Sequence, residues 1–316
     1  MTIRGSKELL KEILGKKHIL LSAHERPDGD AWSSLAAMSR LLTSFGKDPV
    51  VIGDPSRARE YAFLLDGLSF ETSAPRDLFI ALDCGSRTRI AGGDKSEGSL
   101  LVNIDHHADN DRFGDLNIVE PRLSSTAEIV WHLSREWKAE NLPRSFYQAV
   151  YTGMMTDTGN FTYSNTTPET LQAASEILEV LGDPADLHNR IYHTLSPERV
   201  VIRGRVMSRL RLHCAGKVAV SHVTLGDMDE LGLTPDDLEG AVDGLRSVGS
   251  AEVYILMKEK KGAVRLSIRS KGHVAVNGFA ASLDEGGGHA FAAGATFNGT
   301  LDEAEKAVDD YWKEHL

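Results

Sequence analysis

The chain has 316 residues, is 41% hydrophobic and 26% charged, and carries a formal net charge of -11. That length accommodates two cores, since domains commonly run to about 100–200 residues, and the acidic balance excludes a protein that grips long nucleic acid through a broad basic footprint. Two cysteines, Cys84 and Cys214, exclude a disulfide framework or zinc ribbon, and neither a signal peptide nor a membrane-length apolar run is present. The expectation is a cytoplasmic protein with no membrane partner. A small anionic substrate stays open, because bound cations supply positive field locally.

Apolar residues at helical spacing, Leu9, Leu10, Ile13 and Leu14, predict a first helix. His18-Ile19-Leu20-Leu21-Ser22 predicts a buried strand that delivers His24-Glu25-Arg26-Pro27-Asp28-Gly29-Asp30. From Ala31 through Leu42 the pattern is helical, so Asp30 lies near a helix N-terminus, where the dipole favours a negative side chain. Turn and cap roles alone would account for Asp28 and Asp30. They leave His24, four residues before Asp28, unexplained. Pro49-Val50-Val51-Ile52-Gly53 is a second strand. Leu78-Phe79-Ile80-Ala81-Leu82 is a third, ending in Asp83, and Leu100-Leu101-Val102-Asn103-Ile104 a fourth, ending in Asp105-His106-His107. Ser125-Thr126-Ala127-Glu128 has a capping-box pattern. A helix over 145–155 leads into Asp157, and Thr167-Pro168 caps another reaching Leu181. Strands alternating with helices imply parallel pairing. Ligands bind such sheets beyond the carboxyl ends of the strands, where His24, Asp28, Asp30, Asp83, Asp105, His106 and His107 all fall.

A domain boundary is expected near Ser196. Residues 1–195 form one domain, 196–215 a connector helix opened by Ser196-Pro197 and reaching about Leu212, and 216–316 a second, smaller α/β domain. The second contains a strand over 217–223, a helix capped by Thr234-Pro235, and a hairpin of 252–257 with 263–269 around Lys260-Lys261-Gly262. A helix over 276–283 leads into Gly286-Gly287-Gly288-His289, and 301–315 forms a closing amphipathic helix.

Histidine and carboxylate donors without thiolates suit Mn²⁺ or Mg²⁺, with Zn²⁺ or Co²⁺ as alternatives. The aspartates outnumber the needs of one ion. Two ions about 3.5–4 Å apart, sharing a carboxylate, stabilise both attacking and leaving oxygens of a phosphoryl displacement. A histidine just outside their shell protonates the leaving oxygen. Successive glycine amides make an anion nest, and Arg265 and Arg269 share a strand face. With Lys271 and His273 they form the basic stretch the chain otherwise lacks, the bland alternatives being a flexible loop and a solvated strand.

These residues resemble those of the DHH phosphoesterases, specifically the oligoribonuclease/pAp-phosphatase type with a DHH-associated C-terminal domain. The resemblance covers nearly the whole chain: His24-x-x-Pro27-Asp28-x-Asp30, Asp83, Asp105-His106-His107 with Asn110 and Phe113-Gly114-Asp115, then Asp157 in Thr156-Asp157-Thr158-Gly159. It implies an α/β fold, with a mainly parallel N-terminal sheet flanked by helices and a cleft between two domains. His24, Asp28 and Asp83 would hold one metal, and Asp30, Asp83, His106 and Asp157 the other. Mn²⁺ is the expected ion, with Mg²⁺ or Co²⁺ as alternatives. His107 would lie beside the scissile phosphate with Asp105 orienting it. Asn110, Arg265, Arg269, Ser270, Gly286, Gly287, Gly288 and His289 would bind substrate. The implied activity is hydrolysis of short 5′-phosphorylated oligonucleotides, and of pAp to AMP, with a homodimer as an expected assembly. A cyclic-dinucleotide or linear-dinucleotide phosphodiesterase is the alternative, ahead of an inorganic pyrophosphatase or a non-catalytic nucleotide sensor. Two departures from the family pattern bear on substrate preference: Glu285, where a fourth glycine is usual, and Trp32, a bulky residue expected to narrow the cleft.

Overall fold

The computed structural model describes residues 2–71, 77–93 and 98–316, with His289 described at its backbone only. The chain divides into two compact units, Met1–Thr194 and Leu195–Leu316. In the first, the order is α1 (Ser6–Gly15), β1 (Ile19–Ser22), α2 (Gly29–Ser44), β2 (Val50–Val51), β3 (Ser69–Phe70), β4 (Leu78–Leu82), β5 (Leu100–Asp105), β6 (Leu116–Val119), α3 (Thr126–Glu136), α4 (Arg144–Asp157), α5 (Pro168–Leu181) and α6 (Ala185–Tyr192). Its six strands are ordered β3-β2-β1-β4-β5-β6 and all their pairings are parallel.

Strand β4 shows why these runs form the middle of the sheet. All five of its residues are buried, so both faces of the strand are covered. Leu78, Ile80 and Leu82 enter the main core with α2 and α4, while Phe79 and Ala81 join Leu20, Ile52, Ile90 and Leu101 on the other face. The carboxyl ends of β1, β4 and β5 therefore lie side by side. Trp32 corrects an expectation: it is 1% exposed and packs in the main core beside Gly53, so it lines no cleft. Helix α4 runs two residues beyond its expected end, so helical backbone carries Asp157. Strand β6 escapes periodicity because Asn117 interrupts it; that side chain is used locally, its amide donating to the Gly114 carbonyl at 2.7 Å.

The second unit comprises α7 (Pro197–Ser208), β7 (Arg211–His213), β8 (Val218–Val223), α8 (Leu225–Leu231), β9 (Val253–Lys260), β10 (Ala263–Ser270), α9 (Asn277–Ala281), β11 (Asp284–His289), β12 (Ala292–Asn298) and α10 (Leu301–His315). The sheet order is β11-β12-β10-β9-β8-β7, antiparallel except for β8 with β9. Val264, Leu266 and Ile268 of β10 face Val308 and Trp312 of α10 in one core, leaving Arg265, Ser267 and Arg269 on the opposite face. Three expectations need correction. Helix α7 ends at Ser208, because Leu212 belongs to β7 and pairs with Ala219. The segment after Thr234 makes one tight 3-10 turn, Pro235–Leu238. The glycine triplet is a strand and neither a flexible loop nor a nest. A Cβ at Gly286 would lie 1.6 Å from the Ala280 carbonyl oxygen, so glycine is required by close backbone approach.

Asp227 ties this unit together. Its carboxylate closes a capping box with Thr224 at the start of α8 and accepts hydrogen bonds from Arg205 and Arg209. The Arg209 bonds, against the opposing cost of burial, hold the carboxyl far below the usual carboxylate range. Removing a capping carboxylate that also accepts hydrogen bonds from two partly exposed arginines costs about 1–3 kcal/mol. Asp227→Ala should thus lower stability by that order in urea unfolding. Because the folded-state pKa is depressed, the contribution is complete above the unfolded value and fades as pH falls below about 4. The difference between wild type and Asp227→Ala should therefore shrink in acid.

Candidate active site

Asp83 is the hub. It follows β4, its backbone N–H donating to the Ile104 carbonyl at 3.0 Å, and it adopts a left-handed φ of 51°. Such strain at a non-glycine residue persists where surrounding structure enforces it, and clusters at functional sites. One carboxylate oxygen is 3.7 Å from His24 Nε2; the other is 3.8 Å from His106 Nε2 and 3.6 Å from His107 Nδ1. His24 also approaches Asp28 at 3.9 Å, and His106 approaches Asp157 at 3.7 Å. Two donor groups with metal-compatible spacing result, His24/Asp28/Asp83 and Asp83/His106/His107, and they share Asp83.

Asp30 lies at the start of α2 but its oxygens point to α3, accepting the backbone N–H groups of Thr126 at 2.7 Å and Ala127 at 3.0 Å. These are amides of the first helical turn, which have no partner within their own helix. Asp105, fully buried, accepts His107 Nδ1 at 2.7 Å and the Asn110 amide at 2.6 Å. Asn110 also donates to the Cys84 carbonyl and accepts the Arg112 N–H, so it is committed within the chain as a support for Asp105.

The charges fit a cation. Burial first, then the neighbouring carboxylates, pushes Asp83 and Asp157 well above the usual range and Asp30 up to about 7. Buried carboxylates that raise one another in this way are the donor set a divalent ion relieves. Burial and then His107 pull His106 down to about 4, which keeps its imidazole neutral and able to ligate. His107 goes the other way. Burial lowers it, but the hydrogen bond and charge of Asp105 outweigh that and leave it above the ordinary histidine value.

Residues 18–154 match the DHH family, N-terminal domain, and residues 215–314 the DHHA1 domain. Over 98% of its length the chain is 34% identical to the bifunctional oligoribonuclease and PAP phosphatase NrnA of Thermus thermophilus, covering 93% of that protein. The chain belongs to the DHH family. The NrnA of Bacillus subtilis is 30% identical to this DHH protein, with 96% of each covered. An exopolyphosphatase-related protein from Bacteroides fragilis superposes with a TM-score of 0.85 at 27% identity, covering 98% of this chain and 96% of its own.

The other candidates of the DHH chain lie in its second unit. The Arg265 guanidinium donates to Thr296 Oγ1 at 3.2 Å and to the Glu285 carbonyl at 3.4 Å. Arg269 donates to the Ile268 carbonyl at 3.1 Å and stands 3.9 Å from Asp243. Ser270 is buried and accepts the Gly272 N–H, while Gly286, Gly287 and Gly288 belong to β11. The side chain of His289 lies outside the described residues. Glu285 does not turn away from this face: its carboxylate accepts the Thr296 hydroxyl at 3.1 Å. Sequence reasoning missed Thr126 and Asn165, which touch the acidic cluster directly. Their only signal was a cap pattern and an asparagine beside threonines. No helix of the described residues is long and apolar enough to cross a membrane.

Proposed function

We propose that this metal-dependent DHH protein hydrolyses short 5′-phosphorylated oligonucleotides to mononucleotides and removes the 3′-phosphate of pAp. The observation that carries this reading is the cluster around Asp83, where His24 with Asp28 converges on one carboxylate oxygen and His106, itself beside Asp157, on the other, in a chain that aligns almost end to end with NrnA enzymes. His24, Asp28 and Asp83 would hold one divalent ion, and Asp83, Asp30, His106 and Asp157 a second, with Mn²⁺ the expected metal. Ions held there supply Lewis-acid polarisation of the phosphoryl oxygens and a lowered pKa for the attacking water.

The protein residues do the rest. Asp105 occupies Nδ1 of His107 and raises its pKa, so the imidazolium keeps a proton at Nε2 for the leaving oxygen. Asp30 stays anchored to the α3 amides, which fix the position of its carboxylate. In the second unit, Arg265 and Arg269 would bind a phosphate of the substrate. Arg269→Ala should accordingly raise KM for a trinucleotide while leaving turnover of a small chromogenic phosphodiester nearly unchanged. Equal loss of kcat on both substrates would place Arg269 in the reaction itself.

The decisive assay supplies the full chain with Mn²⁺ and compares di- to pentanucleotides, pAp, pyrophosphate and c-di-AMP. Oligonucleotide and pAp cleavage are expected. Exclusive cleavage of pyrophosphate, or preference for the cyclic dinucleotide, would overturn the assignment.

A further inference from the structure

The acidic residues at the site come from separate elements: Asp30 from α2, Asp83 from the end of β4, and Asp157 from the end of α4. Carboxylates that repel one another when buried need something to hold their oxygens in a single arrangement. The segment leading into α3 reaches all three. Thr126 is completely buried, its backbone N–H donating to Asp30 at 2.7 Å and its hydroxyl to Asp83 at 3.1 Å. Just before it, the Ser124 carbonyl accepts the side-chain amide of Asn165 at 3.0 Å. That same amide donates to the Asp157 carboxylate at 3.2 Å.

The segment is itself pinned. Ser125 caps α3 by accepting the Glu128 N–H, but the Glu128 carboxylate does not complete the expected box. It accepts the Ser124 N–H at 2.8 Å, the Ser124 hydroxyl at 2.6 Å and the Thr170 hydroxyl of α5 at 3.0 Å. A fully buried glutamate with that many donors holds Ser124 more firmly than a solvated cap would.

We infer that Thr126 and Asn165 are positioning residues that set the directions of the Asp83 and Asp157 carboxylates for metal binding. The inference rests on the metal-dependent reading above. Neither residue is among the proposed ligands, and each acts through a carboxylate that it hydrogen-bonds. Partners of this kind commonly contribute 10–100-fold to metal affinity (about that range).

The test measures Mn²⁺ binding to EDTA-treated full-length protein by calorimetry, without substrate. Thr126→Val keeps the shape and the N–H to Asp30 but deletes the hydroxyl, whereas Thr126→Ser keeps the hydroxyl. Thr126→Val is expected to weaken Mn²⁺ binding by about 10–100-fold, with metal-free Tm close to wild type, and Thr126→Ser to restore the affinity. Asn165→Ala, made at a half-buried loop position, carries the same expectation should Thr126→Val fold poorly. Affinities within twofold of wild type in both Thr126→Val and Asn165→Ala, or in Asn165→Ala alone where Thr126→Val does not fold, would overturn the inference while leaving the metal-dependent reading intact. A wild-type chain that binds no Mn²⁺ would remove both.

Discussion

His107→Ala should lose about 10²–10⁴-fold in kcat, the usual range for removing a general acid, while still binding metal. Nδ1 of His107 is 2.7 Å from the buried Asp105 carboxylate, which orients the ring. The geometry also offers a competing role, because His107 Nδ1 lies 3.6 Å from Asp83 and belongs to one of the two metal-compatible groups. Its hydrogen bond to Asp105 argues against that role, since an Nδ1 that donates its proton has no lone pair to offer a cation. His106→Ala provides the contrast: it should weaken metal binding, and excess Mn²⁺ should restore part of its activity. Metal stoichiometry on the two variants separates the roles, and a His107→Ala protein that loses an ion while His106→Ala keeps both would reverse them. The pH profile supplies a second check. A general acid must be protonated, so activity falls as pH rises through the His107 pKa, which Asp105 holds above its ordinary value. Asp105→Asn removes that charge, and the alkaline limb of kcat should move to lower pH.

The central strands and their terminal residues were legible because β1, β4 and β5 are short, largely apolar runs with an ionisable residue at the end or within two residues of it. Chain order alone then places His24, Asp83 and the Asp105-His106-His107 triplet at one sheet edge. What stayed hidden depends on tertiary partners. Thr126 and Glu128 read as members of a local capping box, yet the Thr126 hydroxyl goes to Asp83 and the Glu128 carboxylate to Ser124 and Thr170. Asn110 reads as a polar group for substrate, and only the fold reveals that Asp105 and Cys84 use its amide. The glycine triplet misleads for a related reason. Glycine permits a nest and permits close strand packing equally well, and the carbonyl of Ala280 beneath Gly286 selects the second. Trp32 adjoins a ligand motif in sequence, but the helical period turns it into the core.

Asp83→Asn should separate function from stability. The substitution is nearly isosteric, asparagine tolerates the left-handed φ of 51°, and its amide oxygen can still accept the Thr126 hydroxyl. What disappears is the negative charge both donor groups share. Mn²⁺ affinity should collapse, and activity with it, more completely than in His106→Ala, where only one group is damaged. The metal-free protein should nevertheless become more stable. Burial and the carboxylates of Asp30 and Asp28 push the Asp83 pKa well above the ordinary value, so the folded chain binds this proton more tightly than the unfolded chain. With a raised folded-state pKa, keeping the aspartate costs nothing below pH about 4, where both states are protonated. The cost grows as pH rises toward the folded value. Relative to wild type, EDTA-treated Asp83→Asn should therefore gain little at pH 4 and most near neutrality. Each kcal/mol would appear as roughly 2–4 °C in Tm for a unit of this size. Adding Mn²⁺ should reverse the ranking, since only wild type gains the stabilisation that ligand binding confers on the folded state. A neutral-pH Tm that falls in Asp83→Asn without metal, or Mn²⁺ binding that survives the substitution, would show that the shared charge at Asp83 is not what the site is built around.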